Sequence, residues 1–188
     1  DLEKKLEREV RLANDANCLA VSESVDGAGS DSKVVFAIII GTGCGGGFAI
    51  DKKVHTGPNS IAGEWGHVPL GWMSKEEYPG LNCYCGQRGC VETYISGTGF
   101  ENEYKKQTGI KKSGNEIAEL LLSEDFYAEK VMNIYENRLA RAIATIVNII
   151  DPEVLVLGGG MSNISRIYEN VPDLVQEWTF GDEFSTPI

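Results

Sequence analysis

Ten residues, CYCGQRGCVE from Cys83 to Glu92, put three of the chain's five cysteines within eight positions. Closely spaced thiols have three uses: as thiolate ligands of a metal, as a local disulfide, or as unpaired packing groups in a core. A tetrahedral zinc needs a fourth ligand, and the chain has only two histidines. His67, in GEWGHVPL, is the nearer in sequence, and Gly66 and Pro69 beside it are residues that shape a loop. Gly86 and Gly89 allow the tight backbone that an ion requires. C-x-C is less diagnostic than C-x2-C, so at this level all three uses stay open. His55 ends an expected strand among lysines and is expected to be exposed. Cys18 is expected to pack in the core.

Three other stretches could carry chemistry. GTGCGG satisfies G-x-G-x-x-G through Gly41, Gly43 and Gly46. A dinucleotide site would need a helix after those glycines, whereas FAIDKKVH alternates like a strand. No G-K-[ST] follows, so a Walker A loop is excluded. A glycine hairpin can still offer backbone N–H groups to phosphate, with the Thr42 hydroxyl as a further donor; a turn needed only for packing is the alternative. Gly158, Gly159 and Gly160 stand between a strand and a helix, where a ligand could approach the backbone. Asp15, in ANDAN, lies between an apolar segment and an apolar helix, where a helix cap and a proton acceptor are both compatible.

These groups need a scaffold. With 188 residues and a net charge of −11, the chain can bury a sizeable core and lacks the clustered cations of a nucleic-acid binder. No stretch is long and apolar enough to span a membrane. An odd number of cysteines without a secretory leader argues for a reduced, cytoplasmic protein. A helix end is expected over Asp1 to Glu9, a short strand at VRLAND, a helix over ANCLAVSESV, and a strand buried on both faces at KVVFAIII. Thr56 to Asn82 is irregular. A long helix over FYAEKVMNIYENRLARAIATIVNIID stops at Pro152. Strand EVLVL and a helix over NISRIYENVPDLVQEW follow, and TPI reads as the start of another strand. Helices and strands intermix, so the class is α/β. The chain opens without Met, which reads as a piece of a longer protein.

Four segments carry a resemblance. CYCGQRGCVE, GEWGHVPL, LANDANCLA and IIIGTGCGGG resemble, respectively, the cysteine signature, the E-x-G-H motif, the N-D-x-N segment and the second phosphate loop of the ROK family of bacterial sugar kinases and sugar-responsive repressors. The resemblance implies an actin-like ATPase (ribonuclease H-like) fold, with residues 1–188 as the larger, C-terminal lobe plus the catalytic turn. Residues 64–92 become a zinc-binding and sugar-contact loop. It implies a structural Zn2+ on His67, Cys83, Cys85 and Cys90. Asp15 becomes the general base, and Asn14, Glu64, His67 and Glu92 contact the sugar. Gly41, Thr42, Gly43, Cys44, Gly45, Gly46 and Gly47 meet the phosphates of ATP, used with Mg2+, while Gly158, Gly159 and Gly160 border its adenosine half. The implied partners are a sugar and ATP, with neither nucleic acid nor membrane, in a homodimer. The wording is nearest to the family's fructokinases, which make fructose 6-phosphate, with N-acetylglucosamine kinases next and the repressors as the rival class.

The first-strand D-x-G-x-T phosphate motif of such kinases is not found. The 188-residue polypeptide by itself is therefore expected to turn over no fructose with ATP, because closure of two lobes brings donor and acceptor together. An ADP-release assay checks this, and turnover at the rate of a full-length enzyme would refute it.

Overall fold

A computed structural model of the chain describes residues 1–181 and 184–188. Helix α1, Leu2–Leu6, buries nothing and ends at Glu7 in the left-handed conformation. The segment after it, expected as a strand at VRLAND, is extended but unpaired. A strand exists only through a neighbour's backbone groups, and here the Val10 N–H goes to the Glu3 carboxylate instead. Leu12 is left 88 % exposed.

Helix α2, Asp15–Val25, starts where the Asn14 side chain accepts the Asn17 N–H at 3.0 Å, as an N-cap does. Its inward stripe is Ala16, Ala20 and Ser24, four residues apart and all small, so the helix axis lies close to the sheet. Cys18 lies half a turn off that stripe and is exposed, which corrects its expected place in the core.

Strands β1, Val34–Ile40, β2, Cys44–Ile50, and β3, Lys53–Val54, form an antiparallel meander. After the loop region come helices α3, Glu92–Ile95, α4, Gly97–Thr108, α5, Gly114–Leu122, and α6, Phe126–Ile150. Strand β4, Val154–Gly158, then adds parallel to β1, giving the order β3-β2-β1-β4, and α7, Arg166–Gln176, closes the array. The run Val35 to Ile38 is wholly buried, because both faces of β1 are covered. Ala37 and Ala49 meet Ala20 of α2 on one face. Phe36, Ile38 and Ile40 meet the larger core on the other, where Leu139, Ile143 and Ile146 of α6 lie. Asp125 caps α6 by accepting two backbone N–H groups, and Asp151 ends it in the left-handed region just before Pro152. The expected helix after β4 begins three residues late, because Gly160–Asn163 first make a 3-10 turn. Thr186 to Ile188 form no strand; Leu155 N–H donates to Pro187 O at 2.9 Å beside β4. No helix among the described residues is long and apolar enough to cross a membrane.

A buried ion network fastens the irregular segment to α6. Glu77 takes Arg138 Nε at 2.8 Å and Arg141 at 2.8 and 2.9 Å, while Arg138 also reaches Glu103 at 2.9 Å. The Arg138 guanidinium stands 4.9 Å over the Tyr94 ring. Arg141 further donates to the Trp72 carbonyl at 2.9 Å. Burial opposes the charge on Glu77, but the hydrogen bonds from Arg141 and Arg138 prevail and hold its carboxyl down at about 2. Its contribution is therefore fully present above the unfolded value of 4.5 and is lost as pH falls from there toward 2. Glu77→Ala is expected to cost about 3–5 kcal/mol at neutral pH, because two buried guanidinium groups lose their partner. In Glu77→Gln the acid limb of the stability curve below pH 4.5 should flatten. Denaturant midpoints across pH check both, and a midpoint unchanged in Glu77→Ala would remove the network from the stability of the fold.

Candidate functional site

The cysteine cluster is assembled by short backbone pairings. Leu70 N–H donates to Gly89 O at 2.8 Å and Val91 N–H to Val68 O at 2.9 Å, which lays the segment after His67 antiparallel to the one around Cys90. Cys83 N–H donates to Gln87 O and Gly86 N–H to Cys83 O. That tight turn needs positive φ at Gly86 and Gly89, 89° and 74°, a region that glycine alone enters freely. The donor atoms of His67, Cys83, Cys85 and Cys90 then all lie within 4.8 Å of one another. Cys83 Sγ is 3.6 Å from His67 Nδ1, and Cys85 Sγ is 3.6 Å from Cys90 Sγ. Bonds of about 2.3 Å to sulfur and 2.0 Å to nitrogen give a tetrahedral edge of roughly 3.5–3.8 Å, so the set fits Zn2+. A disulfide does not fit, since its sulfurs would stand about 2.05 Å apart and all five cysteines are free. The electrostatics agree. Burial and then the neighbouring thiols Cys85 and Cys83 push Cys90 up to about 12, while the Gln87 backbone N–H draws Cys85 down. Three thiolates side by side repel, and a divalent cation removes that cost.

His67 ends a 3-10 turn, Trp65–His67, whose seat is β2. Trp65 Nε1 donates to Gly45 O at 3.0 Å, and a Cβ on Gly46 would stand 2.4 Å from the indole. A Cβ on Gly47 would stand 2.7 Å from Ala16 O. Cys44, Gly45, Gly46 and Gly47, expected in a phosphate loop, thus belong to β2, and at Gly46 and Gly47 the missing side chain makes room for the turn and for the start of α2. The actual β1–β2 turn is Gly41, Thr42 and Gly43. Its carbonyls are taken: Gly97 N–H donates to Gly41 O at 2.7 Å and the Thr98 hydroxyl to Thr42 O at 2.8 Å. Cys44 is buried, and desolvation followed by the charge of Glu92 drives its thiol far above the ordinary value.

A cleft of about 560 Å3 opens beside this turn, lined among others by Gly41, Thr42, Thr98, Glu101, Asn115 and Gly160. Of the expected nucleotide residues, Gly41, Thr42 and Gly160 line it. Gly158 and Gly159 do not, and a Cβ on Gly159 would meet Ile40 O at 2.5 Å. Thr98 and Glu101 were not anticipated; the readable signal was Ser96 ahead of Gly97 and Thr98, which caps α4 by accepting the Gly99 N–H at 3.0 Å.

The expected sugar contacts approach the same end of β2. Asp15 is the exposed first residue of α2, with one carboxylate oxygen on the Ala16 N–H at 2.9 Å. Asn14 spends its side-chain oxygen on the cap, leaving its amide N–H groups. Glu92 begins α3 and accepts the Cys44 N–H at 3.0 Å. Glu64 is exposed just before the 3-10 turn. His67 Nε2, expected to face the sugar, meets the Tyr84 hydroxyl at 3.0 Å, a residue the sequence did not single out. The charge of Glu92 foremost, and with it that of Glu64, raises the Tyr84 phenol above its ordinary value, so these side chains share one neighbourhood. His55 is exposed as expected, its ring 4.9 Å from Phe48.

The architecture and site define a class. Residues 1–188 match the ROK family, and the chain belongs to it. It is 40 % identical over 177 residues to the N-acetyl-D-glucosamine kinase of Histophilus somni (strain 129Pt), covering 92 % of this chain and 58 % of that protein. The ROK family glucokinase from Streptomyces griseus in complex with glucose and AMPPNP superposes with a TM-score of 0.83 at 26 % identity, over 99 % of this chain and 64 % of that one. A ROK family transcriptional regulator, homolog of the E. coli MLC protein, gives 0.81 at 25 % identity, over 95 % and 46 %. The fold is the actin-like ATPase lobe expected, and the chain spans less than two thirds of the length of these proteins. The curated relative names N-acetylglucosamine, not the fructose suggested by the wording of the segments.

Purified under reductant, the protein is expected to carry about one zinc per chain, read by elemental analysis. Stripping it with a chelator should change the emission of Trp65, whose turn ends in a ligand. Protein purified under reductant with no bound divalent metal would rule out the ion.

Proposed function

We propose that this chain supplies the sugar- and zinc-binding lobe of an ATP-dependent sugar kinase, and that its substrate is N-acetylglucosamine, phosphorylated on the 6-hydroxyl. The observation that carries this is the convergence on one glycine-rich hairpin of an exposed aspartate, two carboxylates and a turn in which Gly41 N–H donates to Gly43 O while the Thr42 and Gly43 N–H groups have no partner among the described residues. The likeness to the N-acetylglucosamine kinase supports the sugar, ahead of fructose.

In this reading Asp15 accepts the proton of the attacking hydroxyl as that oxygen bonds to the γ-phosphorus and the bond to ADP breaks. The carboxylate is suited to this by its position: the helix start holds one oxygen and leaves the other to solvent. N–H groups of the Gly41–Gly43 turn and the Mg2+ that accompanies ATP would offset the charge on the moving phosphoryl group. Asn14, Glu64, Glu92 and His67 would orient the sugar, and Gly41, Thr42 and Gly160 would flank the nucleotide. A zinc on His67, Cys83, Cys85 and Cys90, with no open position, would hold the loop in shape. The rival reading, a sugar-sensing repressor, has the regulator's fold in its favour; a helix-turn-helix preceding this lobe would mark it, and a D-x-G-x-T strand would mark the kinase.

In the full-length protein, Asp15→Asn is expected to keep sugar binding while turnover falls by about 10²–10⁴-fold. Calorimetry with N-acetylglucosamine alongside an ADP-release assay separates the two. Undiminished turnover would remove Asp15 from the chemistry, and absence of any sugar-dependent turnover in the wild type would remove the kinase.

A further inference from the structure

Tyr84 stands between Cys83 and Cys85, two members of the cluster that gathers four donor atoms within 4.8 Å. On one side Cys83 is held in its turn, its N–H donating to Gln87 O at 2.9 Å and its O accepting the Gly86 N–H at 3.1 Å. Tyr84 itself is 82 % exposed. The ring meets the His67 imidazole edge-on, with centroids 5.2 Å apart at 85°, and the hydroxyl lies 3.0 Å from Nε2. The other ring nitrogen of His67, Nδ1, faces the sulfurs, 3.6 Å from Cys83 Sγ. Nε2 is thus the outward polar atom of the imidazole, and a phenol already occupies it.

A phenol and a sugar hydroxyl offer a ring nitrogen the same chemistry, one O–H and two lone pairs. A hydroxyl arriving at His67 replaces the bond it breaks, so the exchange is nearly balanced. A larger substituent at that carbon has to displace the ring as well. With Cys83 held in its turn, rotation about the two side-chain torsions of Tyr84 makes that room. A mostly exposed aromatic with an apolar face and a polar tip also suits a site that grips the C–H face of a sugar.

We propose that Tyr84 is a specificity-determining residue of the sugar site: its phenol contests His67 Nε2 with the incoming sugar, and its ring limits the substituent tolerated on that side. This rests on the sugar-kinase reading above. The ring thereby sets how readily the N-acetyl substituent of the proposed substrate is admitted relative to an unsubstituted hexose, without excluding it.

The test uses the full-length protein as wild type, Tyr84→Phe and Tyr84→Ala, assayed with N-acetylglucosamine, glucose, mannose and fructose, with bound zinc and the KM for ATP measured for each. Tyr84→Phe removes the competing hydroxyl and is expected to lower the KM for the sugars by about 2–10-fold, the size of one net hydrogen bond. Tyr84→Ala removes the ring and is expected to raise kcat/KM for N-acetylglucosamine relative to the unsubstituted hexoses by about tenfold or more. Zinc content and the KM for ATP should hold at wild-type values. Sugar ratios that agree within about twofold in all three proteins, with turnover intact, would overturn the proposal alone. Loss of zinc in Tyr84→Phe would also overturn it, since the phenol would then act by holding the ligand His67. Absence of turnover with every sugar in all three would overturn the kinase reading and this proposal with it.

Discussion

Strand β2 has almost no side chains in its first half, and the rest of the molecule is arranged around that vacancy. At Gly46 a Cβ would strike the Trp65 indole, and at Gly47 the backbone of the first turn of α2. A carbonyl of the same strand lies so close to Gly66 that a Cβ there would stand 2.3 Å from it. Two separate segments, the Trp65–His67 turn and the first turn of α2, therefore seat themselves on bare backbone at van der Waals distance. Packed interiors do not stretch to accommodate an added methyl group, so a side chain at Gly46 would push the histidine turn out of place and one at Gly47 the start of α2 with its aspartate.

The loop that carries His67 has little regular structure and is held from two ends by charge. At one end, a set of thiols that cannot all ionise side by side is suited to a cation. At the other, Glu77 balances two guanidinium groups on α6, one of which also answers Glu103. Neither anchor is apolar, which fits a segment with few large hydrophobic residues of its own to bury. Trp65, Leu70 and Tyr94 supply the apolar remainder. Buried ion pairs of this kind contribute little net stability over apolar packing, but they penalise every alternative placement of the loop.

The two halves of the site differ in how they are built. The cleft beside Gly41 and Thr42 is lined by elements with regular structure, the capped start of α4 and the 3-10 turn after β4. The side holding Glu64, His67, Tyr84 and Glu92 is built of loop and of the first residue of a four-residue helix. In the proposed reading, rigid secondary structure would face the nucleotide and adjustable loop the sugar, a division that accords with a constant nucleotide and a variable sugar.

Much of the fold was legible because local patterns carry it. The β-branched run of β1, the cap at Asn14, the long apolar periodicity of α6 and its stop at Pro152 each follow from neighbouring residues alone. The grouping of His67, Cys83, Cys85 and Cys90 was also legible, through the family resemblance of their segments, and their donor atoms lie within 4.8 Å of one another. Position relative to distant chain was not legible. VRLAND has strand-like residues but no edge to pair with. Cys18 is apolar enough for a core yet falls off the Ala16–Ala20–Ser24 stripe. The run Cys44 to Gly47 has the composition of a phosphate loop, and only the register with β1, Ile38 opposite Gly46, makes it a strand. Tyr84 gave no signal, because its partner His67 lies 17 residues away, and Ser96 marked the start of α4 but not the bond from Thr98 to Thr42, 56 residues away. The amino-acid sequence by itself thus determined the elements and the inventory of reactive groups, which depend on residues a few positions apart. Only the tertiary structure decided which of those groups face one another, because that depends on where the glycines of β2 let distant backbone come to rest.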